Sequence, residues 1–350
     1  MPPFADLVTT NDPPISPPAP VLLAANAMAA LTAIEGDLKK LVQYIVSGPG
    51  RGDAYNRTAK FVDEFGHRHS CSESLKMSLE ELKRTLEAEF GEKNVKKFPV
   101  PNVPKWVRGK EACTLLSPPL RQGTVPALNR SIEILGLGFS VGTNNSVLEA
   151  PVVVVGSLDE LVEKRELVRG KIVVFDMPYQ GYGKTRPYRT HCASFCAKFG
   201  ARALLLRSIT PWSLKTPHTG ALTYRQDLRP DLRTLDRKTA DGLGFGKGGV
   251  PDELLGDYSS VAKIPAAAIT LEDAAMLRRM TAREPEDPVV VRLEMEARTE
   301  GTCTSHNMIA EVRGSEKPDE VVVVSGHWDS WDVGQGAMDD AGPAFTALQV

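Results

Sequence analysis

His327, Asp329 and Asp339 are the residues whose types and spacing could do chemistry. They lie in the segment 320–350, EVVVVSGHWDSWDVGQGAMDDAGPAFTALQV. A neutral imidazole and a carboxylate suit a divalent transition ion such as Zn²⁺. Asp329, two residues beyond His327, is placed to accept a hydrogen bond from the second ring nitrogen and so fix the ligand's tautomer. The plain alternative is a polar loop after a core strand, because His-x-Asp tripeptides are common. Four valines, Val321 to Val324, lead into the motif. Such a short apolar run bounded by turn formers predicts a central strand, Glu320–Ser325, buried on both faces. After Asp339 and Asp340 comes a Gly/Ala/Pro segment that could begin a helix.

The stretch GHWDSWDVGQGAMDD (326–340) resembles the metal-site signature of the zinc-dependent metallopeptidases that include aminopeptidase Y, glutamate carboxypeptidase and the transferrin receptor. RGKIVVFDMPY (169–179), YRTHCASFCAKFGARALLLRS (188–208), TPHTG (216–220) and IPAAAITLEDAAMLRRM (264–280) extend the likeness in the same order over roughly residues 33–350. The resemblance implies an α/β fold, a zinc-peptidase mixed sheet flanked by helices and here incomplete, with an inserted protease-associated β/α domain. It implies a zinc-dependent exopeptidase cleaving dipeptides or short unblocked peptides with a water activated by two zinc ions. His327 would ligate one zinc, Asp339 would bridge the pair and Asp329 would support His327. Asp340 stands where the family carries Asp or Asn.

The family's general-base glutamate, in a Glu-Glu pair, and its later acidic and histidine ligands find no suitable counterpart. The Glu-Glu of this chain, Glu80-Glu81, falls on a helix far upstream. The expectation is therefore a C-terminally truncated chain that binds metal weakly and is inactive alone. Ala341 and Pro343 replace glycines, and Pro343 removes a backbone donor where a helix should begin. The rival reading, from another class, is a non-catalytic protein using the inserted domain as an interaction module.

Composition is compatible with this reading. A chain of 350 residues is long enough for two cores. A net charge of −2 and a pI near 6.3 leave no electrostatic footprint for nucleic acid. No apolar run is long enough for a membrane span. Five scattered cysteines define no disulfide framework. Residues 1–26 read as a disordered, proline-rich leader. Residues 19–34 are apolar like a signal-peptide core, but no Lys or Arg precedes them. The resemblance implies an extracellular or lysosomal protein, a peptide substrate and a homodimer. Asn56, Asn129 and Asn144 open glycosylation sequons.

These residues require elements to position them. Helical periodicity predicts helices over 27–47, 56–65 and 73–90, the last on Leu75, Leu79, Leu82, Leu86 and Phe90. Strands follow at 94–100 and 105–116, and residues 27–116 are assigned to the peptidase domain. Beyond Ser117-Pro118-Pro119, residues 117–288 form the inserted domain. Its strands are 132–137, 150–155, 171–175, 203–206 and 266–269, and its helices 157–168, 189–199 and 271–282. Within it, 225–262 reads as a mobile, polar loop insertion. Residues 289–350 return the chain to the zinc-binding core, with strands at 289–296, 307–313 and 320–325.

Several patterns are decoys. Gly138 to Gly142 matches the G-x-S-x-G nucleophile elbow around Ser140, but a turn follows it and not a helix. Gly244 to Gly249 fits G-x-G-x-x-G without a preceding strand. His191, Cys192 and Cys196 could hold a metal, although Phe195, Ala197 and Phe199 around them suggest a packed helix. His67-Arg68-His69 lies where the family carries Gly-Pro-Arg and reads as solvated loop.

Overall fold

A computed structural model describes residues 25–116, 130–245, 249–283 and 288–349. The 1–24 part of the expected leader and Asn129 lie outside the described residues. The chain divides into two compact units. Of the described residues, the smaller holds those up to Val62, 322–327 and those from Ala337 on; the larger holds those between Asp63 and Val321 and 328–336.

The smaller unit begins with α1 (Ala25–Val46), followed by a turn through Gly48-Pro49-Gly50 and then α2 (Asp53–Phe65), whose residues from Asp63 on belong to the larger unit. The ring of Phe61 meets that of Phe345 edge-on at 5.4 Å, and Arg57 lies over the same Phe345 ring.

The larger unit continues with α3 (Glu73–Phe90), which starts where the Ser72 hydroxyl accepts from the Leu75 amide (3.1 Å). Leu75, Leu79, Leu82 and Leu86 bury the predicted stripe. Gly91, at φ +84°, ends the helix. Next come β1 (Val95–Val107), β2 (Glu111–Leu116), β3 (Arg130–Ser131), β4 (Ile134–Gly136) and β5 (Leu148–Val155). Then follow α4 (Leu158–Glu163), α5 (Arg165–Val168), β6 (Ile172–Phe175), α6 (Tyr182–Lys198) and β7 (Ala203–Arg207). The 225–262 region contributes α7 (Pro230–Arg233), β8 (Thr234–Leu235), α8 (Arg237–Asp241) and β9 (Gly256–Asp257). The chain proceeds through β10 (Ala266–Ile269), α9 (Leu271–Arg283), β11 (Val290–Met295) and β12 (Arg298–Ala310). After a distorted turn, Ala337–Ala341, α10 (Gly342–Gln349) closes the described chain in the smaller unit.

The core of the larger unit is an eight-stranded mixed sheet, ordered β3-β2-β11-β5-β6-β7-β10-β4. β5, β6, β7 and β10 are parallel, and their helical crossovers must cover the faces. Strand residues alternate strictly between the two faces. Val153, Val155, Val173, Phe175, Leu204 and Leu206 pack with α6 on one side. Val152, Val154, Ile172, Val174 and Leu205 pack with Ala274 and Leu277 of α9 on the other. A separate antiparallel pair, β1 with β12, runs from Val95 opposite Ala310 to Val107 opposite Arg298, and α3 packs against it.

Two sequence expectations differ from this architecture. Among the described residues of 225–262, which the sequence suggested as a mobile loop, Leu235, Ala240, Val250, Leu254 and Tyr258 are buried and extend the α6 face of the core, because apolar residues recur among the polar ones. Residues 111–116 and 289–296 are neighbouring strands of the eight-stranded sheet, β11 lying between β2 and β5. The second difference is at Glu320–Ser325, which forms no strand. Val321 to Val324 are 79%, 90%, 78% and 56% exposed. A central strand must pair its backbone groups with neighbours, and none of the strands among the described residues pairs with this segment.

Candidate metal-ligand pair

The smaller unit brings His327 and Asp339 together: His327 Nε2 and Asp339 Oδ1 are 2.8 Å apart. Both side chains are open to solvent, 53% and 76% exposed. The His327 amide donates to Asp340 Oδ2 at 2.9 Å, so Asp340 binds the backbone of the same histidine. Asp339 and Asp340 leave helical geometry (φ −133° and −141°), and the peptide between them is cis. The helix expected afterwards does form as α10, with Pro343 in its first turn, where a missing amide proton costs no intrahelical bond. Gly326 has no room for a side chain, since a Cβ would meet the backbone of Ala344.

The residues between the pair, Trp328–Gly336, belong to the larger unit and are held by a residue that sequence reasoning misjudged. Arg68 is fully buried rather than solvated. Its Nε donates to Trp328 O (2.9 Å), its Nη1 to Gly66 O (2.8 Å) and Gln335 O (2.7 Å), and its Nη2 to Gly336 O (3.0 Å). Burial draws the guanidinium pKa down and Asp329 opposes the shift. His69 is buried too, its ring between those of Trp106 (5.8 Å) and Trp331 (5.6 Å). Burial lowers its pKa against the nearby Asp332 carboxylate.

Asp329 accepts from the Ser70 hydroxyl at 3.3 Å. Asp332 takes both arms of the Arg108 fork, Nε at 2.8 Å and Nη2 at 2.7 Å. Burial would raise the Asp332 pKa, but the guanidinium outweighs it and holds the carboxyl below its ordinary range. Glu111, also beside Arg108 but more deprived of water, is shifted upward by burial.

The decoys resolve by packing. Ser140 is buried; its hydroxyl donates to Val141 O (2.9 Å) and accepts from the Ala266 amide (2.8 Å). Cys192 and Cys196 are completely buried in α6, where desolvation raises both thiol pKa values. His191 beside them is driven down to about 4 by burial, then by Arg225 and Arg186. The Gly244–Gly249 pattern lies partly outside the described residues. Asn144 is exposed on a turn at φ +56°. Asn56 is exposed on α2, but Thr58 of its sequon is buried and donates to Ala54 O (2.7 Å).

A feature that the cysteine spacing concealed is a disulfide, Cys71–Cys303, closing 232 residues of chain. Scattered, odd-numbered cysteines carry no pairing signal, and only the fold puts these two side by side.

The donor set suits zinc in kind, an imidazole nitrogen and a carboxylate oxygen within reach of one ion. No group of three His, Cys, Asp or Glu side chains among the described residues could hold a metal. No described helix is long and apolar enough to cross a membrane.

Comparison with known proteins agrees with this architecture. Residues 307–350 match the model of peptidase family M28. The chain aligns over 91% of its length with the crystal structure of a peptidase M28 precursor from Shewanella amazonensis, covering 63% of it, at 28% identity and a TM-score of 0.71. The zinc aminopeptidase of Bacillus subtilis shares the fold at 18% identity, TM-score 0.51, over 85% of this chain and 57% of that one. The chain is thus similar, over the part of them that it spans, to the M28 peptidases. Within that class it is similar to carboxypeptidase Q. It is 39% identical to the Homo sapiens protein over 90% of this chain, and equally to the Xenopus laevis protein over 89%. It spans 57% and 56% of those relatives' lengths.

Proposed function

We propose that this chain carries part of the metal centre of a zinc exopeptidase of the carboxypeptidase Q type, acting on dipeptides or short unblocked peptides. The observation that carries the reading is the 2.8 Å approach of His327 Nε2 to Asp339 Oδ1. His327 would hold one zinc, Asp339 would bridge two, and Asp329 would steady the His327 ring. Bound zinc would supply a Lewis acid and an acidified water. The chain's own part is narrower: Asp340 fixes the His327 backbone, and the Arg68-bound loop spaces the two ligands along the chain. Without a third ligand among the described residues, this chain by itself binds zinc weakly and does not turn over dipeptides.

The reading extends to context. Residues 117–288 would correspond to a protease-associated domain, and the active protein would be a homodimer. An extracellular or lysosomal location is supported by the likeness to carboxypeptidase Q and by the disulfide, which persists in oxidising compartments. There Asn144, on its exposed turn, would be the glycosylated sequon in preference to Asn56.

Equilibrium dialysis of the 350-residue chain against zinc tests the ligand pair. His327→Ala and Asp339→Ala are each expected to weaken binding at least tenfold, with the fold monitored by circular dichroism. Wild-type affinity in both folded variants would overturn the reading, and chelator-sensitive dipeptide hydrolysis by this chain would overturn its inactivity.

A further inference from the structure

The guanidinium of Arg68 joins the two ends of one loop. Trp328, whose carbonyl accepts from Nε, directly follows His327 in the chain. Gly336, whose carbonyl accepts from Nη2, precedes Asp339 by only Ala337 and Met338. Gln335 O adds a third acceptor on Nη1. The backbone of the same residue closes the middle of the loop: the Arg68 amide donates to Ser330 Oγ (2.8 Å), and the Ser330 amide donates to Arg68 O (3.0 Å).

A guanidinium presents its donors in a rigid planar fork. Carbonyls bound to one fork therefore sit at a fixed separation, and the peptide segments that carry them do too. Gly336 is built for the close approach. It lies at φ +62°, and a Cβ there would overlap the Ser330 side chain and crowd Arg68 Nη2. A buried arginine bound chiefly to carbonyls also has high stakes, because its charge has left water for these contacts.

We propose that Arg68 is a positioning residue for the metal centre: by holding both ends of the Trp328–Gly336 loop, it sets the spacing at which the chain presents His327 and Asp339. The inference rests on the reading of those two residues as zinc ligands. Arg68 touches neither metal nor substrate in this role.

The test measures zinc affinity of the 350-residue chain by equilibrium dialysis, and the visible spectrum of its Co²⁺ form. Arg68→Ala is expected to weaken zinc binding by 10- to 100-fold, the usual effect of losing an outer partner of a metal site, and to alter the cobalt bands. Methylguanidinium at millimolar concentration should restore both in Arg68→Ala. Arg68→Lys should stay impaired, since one ammonium cannot span the same carbonyls. Gly336→Ala, which disturbs the clamp from the loop side, should show the same loss and decides the matter if Arg68→Ala does not fold. A folded Arg68→Ala or Gly336→Ala with wild-type zinc affinity and cobalt spectrum, while His327→Ala has lost binding, overturns the positioning role alone. If His327→Ala binds zinc as tightly as the wild type, the ligand reading falls and takes this inference with it.

Discussion

Arg108 and Asp332 meet as fork and carboxylate, with side chains 9% and 19% exposed. Arg108 Nη1 also reaches Gly136 O, so the guanidinium ties the loop after the histidine to the end of β4. Asp332→Asn would leave a nearly buried cation with only the more distant Glu111 carboxylate, 3.9 Å away, as counter-charge, a change that costs about 3 kcal/mol. The pH dependence has a definite sign. Asp332 is held below its ordinary pKa of 3.8, so its contribution is present above that value and is lost as pH falls through the lower, folded one. Urea unfolding from pH 5 to pH 2 should therefore show a steeper acid loss for wild type than for Asp332→Asn. Parallel curves would remove the ion pair from the account. At this scale residue type and spacing singled out His327 and Asp339, two side chains that the structure brings within 2.8 Å of each other. The sequence was illegible for Arg68 and His69. A polar tripeptide reads as solvated until the carbonyls and rings that surround it are known, and apart from Gly66 and Trp106 those come from residues more than two hundred positions away.

At the scale of elements, α6 shows how a face without amphipathic contrast is still specified. Pro187 lies inside it, and Arg189, Cys192, Ala193, Ser194, Phe195 and Cys196 are all buried. The helix is covered on most sides, by the sheet and by the 225–262 region, so its pattern has no polar stripe to betray it. The sequence located its C-terminal half (189–199) for that reason and missed its first turns. The parallel strands were easier, since valine- and leucine-rich runs between glycine turns have few other homes. Glu320–Ser325 has the same texture and no strand partner among the described residues, which marks the limit of reading strands from composition. His191, on α6, offers a second titration. Its folded pKa of about 4 lies below the unfolded value of about 6.5. The unfolded chain therefore binds its proton first, and stability falls as pH drops from 6.5 towards 4, by roughly 1 kcal/mol per pH unit. His191→Phe should flatten that slope between pH 6.5 and 5 in chemical denaturation. An unchanged slope would mean that His191 is protonated without cost in the native protein.

At the scale of the molecule, Cys71–Cys303 ties together segments that neither periodicity nor spacing relates. Cys71 follows the Arg68 turn by three residues, and Cys303 sits within β12, whose partner β1 packs on α3. The bridge thus anchors the segment carrying Arg68 to the two-stranded sheet. Closing 232 residues of chain removes much of the unfolded state's freedom, by about 5 kcal/mol in the chain-entropy account. The other cysteines do not compete for the bond. Cys113, Cys192 and Cys196 are buried, and desolvation raises the Cys113 thiol to about 12 and raises the other two as well. A thiolate is the attacking species in disulfide exchange, so these three are inert in the native protein and a reductant acts on the one bridge. Thermal unfolding with and without dithiothreitol should differ by on the order of 10 °C for a chain of this size. Cys303→Ser should melt at the reduced temperature under both conditions. If reduction leaves the melting temperature where it was, the bridge contributes nothing to stability, and the Arg68 turn is held by its hydrogen bonds to the Trp328–Gly336 loop without help from β12.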